Sequence, residues 1–152
     1  MRPARWDVRL SCTSDKTSAA TRHVHDFATM GGFSGVHQFC RVGTHAFMGG
    51  ATVATRDVAP FSLTVGNRAH FFGLNLVGLR RRGFSPEAIA ALRQAYRLLA
   101  QAGLPLAEAL RRLEVEGPHD DEVRAVVDFV RTSKRGVILD RRHSGSAGET
   151  EP

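Results

Sequence analysis

Residues Val24–Ala59 read VHDFAT MGGFSG VHQFCR VGTHAF MGGATV ATRDVA, six hexads in one unbroken phase. The first place of every hexad is apolar: Val24, Met30, Val36, Val42, Met48 and Ala54. The fifth is small or compact: Ala28, Ser34, Cys40, Ala46, Thr52 and Val58. An aliphatic residue every six positions, with a small one four later, is what a triangular parallel β-solenoid requires. Each coil has three short flat strands, the first place fills the interior and the fifth fits the corner. Three hexads make one coil, so this segment predicts two, with Val24 over Val42, Met30 over Met48 and Gly31-Gly32 over Gly49-Gly50. Val24, Val36, Val42 and Met48 are expected inside. Stacking holds such coils together, and two are fewer than the roughly three repeats usually needed for stability.

Working outward, residues 1–23 read MRPARWDVRLSCTSDKTSAATRH and carry no hexad phase, so a disordered segment unrelated to the rest is expected there. On the other side, DVAPFSLTVGNRAHFF (57–72) reads as an extended connector, with Pro60 ending the repeat and Gly66-Asn67 marking a turn. Partial solenoid and connector thus occupy 24–66. Residues 67–138 read as a helical domain, its first helix spanning Ala69 to Arg82 and closed by Gly83. Ser85-Pro86-Glu87 combines an N-cap with proline at the first helical position and opens a second helix to Gly103, with Ile89, Leu92, Tyr96 and Leu99 on its apolar face. A third helix, Pro105 to Val115, presents Leu106, Leu110 and Leu113. A fourth, capped by Asp120 and running to about Lys134, presents Val123, Val126, Val127 and Val130. Residues 139–152 are expected as a disordered tail.

Composition narrows the function classes. A chain of 152 residues with 42% hydrophobic and 24% charged residues suits one soluble domain. No run approaches the roughly 18 apolar residues of a membrane span, and the opening lacks the apolar core of a signal peptide, so a cytoplasmic protein without membrane insertion is expected. Cys12 and Cys40, with no CxxC spacing, make neither a disulfide framework nor a zinc site. No metal site and no cofactor are expected. The net charge of +6 is unevenly spread: residues 67–83 hold four basic groups, Arg68 and Arg80–Arg82, and no acidic one. A few positioned guanidiniums read phosphates better than diffuse charge does. Nucleic acid ranks last as a partner, since no recognised motif and only one Trp and one Tyr accompany the charge.

Three stretches taken together, GGFSGVHQFCRVGTHAFMGG (31–50), DVAPFSLTVGN (57–67) and GLNLVGLRRRGFSPEAI (73–89), carry a resemblance. They resemble the C-terminal part of the acyl-carrier-protein UDP-N-acetylglucosamine O-acyltransferases that begin lipid A synthesis. The resemblance implies terminal coils of a left-handed parallel β-helix followed by a C-terminal helical domain, assembled as a homotrimer with active sites between subunits. It implies transfer of a 3-hydroxyacyl group from acyl carrier protein to the 3-hydroxyl of UDP-N-acetylglucosamine. By position, His37 and Gln38 match a pair near the bound substrates, and Asn75, Arg81 and Arg82 match contacts to the nucleotide-sugar end. Val77 stands where a member of the family carries an acidic residue.

The family's catalytic base is a histidine followed by aspartate, two coils before the His-Gln pair. Counted back from His37 it falls near Arg2, where nothing matches, so no catalytic residue is assigned. His25-Asp26 aligns with a later coil and is read as coil surface, and His45 and His70 are read as ordinary structural residues. On a helix from Ala69, Asn75 and Arg82 would share one face two turns apart, with Arg81 about a hundred degrees to the side. Two readings remain: a truncated acyltransferase, expected to be inactive alone, or a non-catalytic fragment acting only as a trimerisation or partner-binding module.

Overall fold

The computed structural model describes residues 23–100 and 103–140. The expectations for residues 1–22 and 141–152, the position near Arg2 included, lie outside the described residues. Six two-residue strands recur at the hexad interval: β1 (His23–Val24), β2 (Thr29–Met30), β3 (Gly35–Val36), β4 (Arg41–Val42), β5 (Phe47–Met48) and β6 (Val53–Ala54). The first three each pair in parallel with the strand three hexads on, Val24 with Val42, Met30 with Met48 and Val36 with Ala54. The chain therefore visits three ladders in rotation.

Between strands the backbone turns a corner. The fifth-place N–H donates to the second-place carbonyl in five successive hexads, Ala28 to His25, Ser34 to Gly31, Cys40 to His37, Ala46 to Gly43 and Thr52 to Gly49, at 3.2–3.3 Å. The fourth place, Phe27, Phe33, Phe39, His45 or Ala51, has φ between 55° and 65°. These are type II turns, whose third residue must take positive φ. For a residue with a Cβ that backbone costs about 1–2 kcal/mol, so five such corners are stored strain that stacking must offset.

The repeat does not end at Pro60. Val58 bridges Val42, β7 (Ser62–Val65) pairs with β5 through Leu63 and Phe47, and Asn67 bridges Val53, so a third course lies on the two expected. Phe61 takes φ 60° as another corner residue, and its turn repeats the Ser34 pattern, with Ser62 Oγ donating to the Ala59 carbonyl at 2.6 Å. The phase slips by two residues: Val58, assigned to a fifth place, begins a shortened unit instead. The middle course is enclosed, with Val42, Met48 and Ala54 fully buried. Val24, expected inside, is instead 40% exposed, and Met30 and Val36 are half-buried, because among the described residues their course is covered on one side only.

The helix expected over Ala69–Arg82 is also corrected. Residues 70–74 form strand β8 (His70–Leu74), antiparallel to β7, and only α1 (Leu76–Arg81) is helical. β7 presents an open edge, and satisfying its backbone groups outweighs the local helical pattern. Three longer helices follow, α2 (Pro86–Ala100), α3 (Leu106–Glu116) and α4 (Asp121–Arg131), with α2 packed on both others. Ser85 Oγ accepts from Ala88 N at 3.1 Å as the expected cap, whereas Asp120 makes no side-chain cap bond. The apolar faces of α2 and α4 are buried as expected. Of the α3 stripe only Leu113 is fully enclosed, while Leu106 is 40% exposed.

Two junctions tie helices to strands. Tyr96 donates its hydroxyl to the Pro60 carbonyl and stacks on Phe71, ring centroids 5.1 Å apart. Asp57, 1% exposed, accepts from Arg41 N (2.8 Å), Arg41 Nε (3.2 Å) and Ser133 Oγ (2.8 Å), while the same guanidinium donates to the Phe129 carbonyl of α4 at 2.9 Å. Leu139 and Asp140, expected in the tail, belong to the body: Leu139 is half-buried and the Asp140 carbonyl accepts from Phe71 N at 3.0 Å. Among the described residues no helix is long and apolar enough to cross a membrane.

Candidate functional site at one corner of the coils

Asn75 follows β8 directly and caps α1, so it is not on the helix face expected for it. Its Oδ1 accepts from Gly78 N at 3.1 Å, its Nδ2 donates to the His45 carbonyl at 3.0 Å, and its backbone N–H donates to the Phe61 carbonyl at 2.8 Å. The side chain is a buckle fastening α1 to two corner residues. Gly78 lies against this amide so closely that a Cβ there would overlap it.

α1 ends in three exposed arginines, Arg80, Arg81 and Arg82. Among the described residues no carboxylate pairs with any of them. Arg82 lies over the ring of Phe27, 4.1 Å from its centroid. Phe27 in turn stacks on His45 (4.9 Å, 18°), and His45 stacks on Phe61 (5.6 Å, 11°). Phe84 meets the edges of His45 and Phe61 at 5.0 and 5.9 Å. Phe27, His45 and Phe61 are the positive-φ residues of one corner in three successive courses, which is why their rings form a column. Burial, then the nearby Arg82 charge, holds the His45 imidazole below its ordinary pKa, favouring the neutral ring.

His37 and Gln38 are exposed and occupy a different corner, the one turned by Phe39. His37 Nδ1 lies 3.2 Å from the Gln38 carbonyl, and its backbone N–H donates to the Ala54 carbonyl at 2.8 Å. Within this chain, then, Asn75 and Arg82 meet at one corner, Arg81 stands exposed beside them, and His37-Gln38 sits apart. His25 sets its ring against the edge of Phe129 (5.8 Å), and the Asp26 carbonyl accepts from Thr44 Oγ1 and His45 N. Sequence reasoning missed Phe27 and the part played by His45. The available signal was the fourth hexad place, where Phe27, Phe33, Phe39 and His45 follow one another.

A family model described as UDP-N-acetylglucosamine O-acyltransferase, domain 2, matches residues 57–138, from the buried Asp57 to Ile138. The chain belongs to the UDP-N-acetylglucosamine O-acyltransferase family. An acyl-[acyl-carrier-protein]–UDP-N-acetylglucosamine O-acyltransferase of Burkholderia mallei (strain SAVP1) is 46% identical over 130 residues, 83% of this chain and 50% of that protein. The Burkholderia orbicola acyltransferase is 48% identical with the same coverage. Among solved structures, the Francisella novicida UDP-N-acetylglucosamine acyltransferase matches with a TM-score of 0.75 at 35% identity, over 80% of this chain and 45% of that one. The Bacteroides fragilis acyltransferase matches with 0.75 at 38%, over 77% and 46%. This member of the acyltransferase family therefore spans about half the length of the curated relatives it matches.

Proposed function

We propose that this chain supplies the nucleotide-sugar side of an acyltransferase that moves a 3-hydroxyacyl group from acyl carrier protein to the 3-hydroxyl of UDP-N-acetylglucosamine. The observation that carries the reading is the run of exposed guanidiniums at the end of α1, beside Asn75, with no carboxylate partner among the described residues. Charge-assisted, bidentate bonds from Arg81 and Arg82 suit a pyrophosphate, and Asn75 holds the helix that presents them. His37 and Gln38 complete the substrate contacts from another corner. We place them in a cleft between subunits of a homotrimer, where the His37 corner of one copy would face the Arg82 corner of its neighbour. The stacked coils are then the terminal coils of a left-handed parallel β-helix, the helices its C-terminal domain, and the cytoplasm its compartment. Titrating the chain with UDP-N-acetylglucosamine, UDP and inorganic pyrophosphate by NMR tests this. Selective shifts around α1, abolished in Arg81→Ala and Arg82→Ala, are expected. Uniform weak shifts for all three ligands would leave only nonspecific charge.

A second reading has one observation in its favour. Phe33 is 99% and Phe39 55% exposed at two successive corners, apolar surface that would suit a non-catalytic trimerisation or partner-binding module. Selective binding of UDP-N-acetylglucosamine separates the two, since such a module binds copies of itself without recognising the nucleotide sugar.

A further inference from the structure

The three arginines that end α1 are not equivalent. Arg80 and Arg81 stand in the last turn and, among the described residues, neither guanidinium lies over an aromatic ring, whereas that of Arg82 lies 4.1 Å from the centroid of the Phe27 ring. Beneath Phe27 stand His45 and Phe61, with Phe84 against their edges. The start of the same helix is fastened to the same residues, because Asn75 bonds the backbone carbonyls of His45 and Phe61. Both ends of α1 are thus referenced to one stack of rings.

A guanidinium lying on a ring uses its π face there and keeps its N–H donors for a second partner, while its rotamer freedom is already reduced. Glycine would meet the turn requirement at Phe27 and His45 without strain, yet the corner carries rings at φ 61° and 55°. The neutral His45 adds no positive charge beneath Arg82.

We infer that Phe27 and His45 are positioning residues that hold the Arg82 guanidinium, rather than that of Arg80 or Arg81, in a fixed orientation toward a phosphate of the nucleotide. This rests on the proposed phosphate contact of Arg82, and the test separates the two claims. UDP affinity of the full chain is measured for the parent, Arg82→Ala, Phe27→Leu, Phe27→Trp and the double variant Phe27→Leu/Arg82→Ala, with thermal midpoints for each. In parallel, the Arg82 Nε–H resonance is followed by NMR with and without Phe27.

Expected are a ring-current shift of Arg82 that disappears in Phe27→Leu, and a loss of UDP affinity in that variant of about threefold to fivefold. Phe27→Trp should keep parent affinity, and the double variant should bind no more weakly than Arg82→Ala alone. A purely structural part for Phe27 predicts the opposite: an additive loss in the double variant that tracks the thermal midpoint, and it would overturn the inference. So would weakened binding in Arg82→Ala with none in Phe27→Leu, or an Arg82 resonance with no ring-current shift. If the parent does not bind UDP, or Arg82→Ala binds it as the parent does, the phosphate contact itself fails and the positioning claim falls with it.

Discussion

Phe33 holds φ 59° with its side chain 99% exposed, so it bears the strain of a left-handed backbone without ring burial to offset it. Phe33→Asn should raise stability by about 1 kcal/mol, because asparagine tolerates this conformation and the lost ring touches little. Chemical denaturation reads the change, and an unchanged or lowered midpoint would contradict the strain argument. Phe27, in the same turn position, should not gain in this way, since its ring carries the Arg82 guanidinium and stacks on His45. His45 itself predicts a pH dependence. Its pKa is depressed in the folded chain, so below about 6.5 the unfolded state takes up the proton first and folding becomes less favourable. The parent should therefore lose stability relative to His45→Phe as pH falls from 7 toward 5, in urea midpoints measured across that range. Parallel curves would mean that the imidazole titrates alike in both states. At this scale the sequence singled out Asn75 and Arg82 but not what they touch within the chain. Whether Asn75 reads a ligand or buckles a helix depends on carbonyls thirty and fourteen residues upstream, His45 and Phe61, which no local pattern reveals.

Among the elements, the coils were the most legible. A hexad phase needs only local apolar spacing, and the Gly31 register over Gly49-Gly50 is realised so closely that an ideal Cβ on Gly31 would come within 2.6 Å of Gly50 N. Gly31→Ala should accordingly cost about 1–3 kcal/mol, through separation of the two courses. Gly32 makes a control, as a Cβ there meets nothing within 4 Å. Equal losses at both positions would argue against backbone stacking as the cause. The third course was illegible for a specific reason: Val58 suits a fifth place and a first place equally, and only its bridge to Val42 decides between them. β8 was misread for a related one. The stretch His70–Leu74 reads as the start of a helix, and it becomes a strand because β7 offers it an edge.

At the scale of the whole molecule, Asp57 joins coil to helices. Its carboxylate is 2% exposed at the side chain and is held by Arg41 and Ser133, and its backbone bridges Val137. Asp57→Ala should cost about 3 kcal/mol or more, because it leaves a largely buried guanidinium without its counter-charge. Replacing Arg41 and Asp57 together should cost less than the sum of the single changes, by a double-mutant cycle on unfolding free energies; additivity would mean that the pair is not coupled. The sequence by itself determined the repeat, its three ladders, the chain positions of the longer helices and the family resemblance, because each is written in spacing along the chain. Only the tertiary structure decided which ring lies on which, where the repeat slips, that Asn75 buckles α1 and that Arg82 is the seated arginine. Those outcomes turn on contacts between residues one coil or more apart, where the free energy depends on what the fold has already brought together.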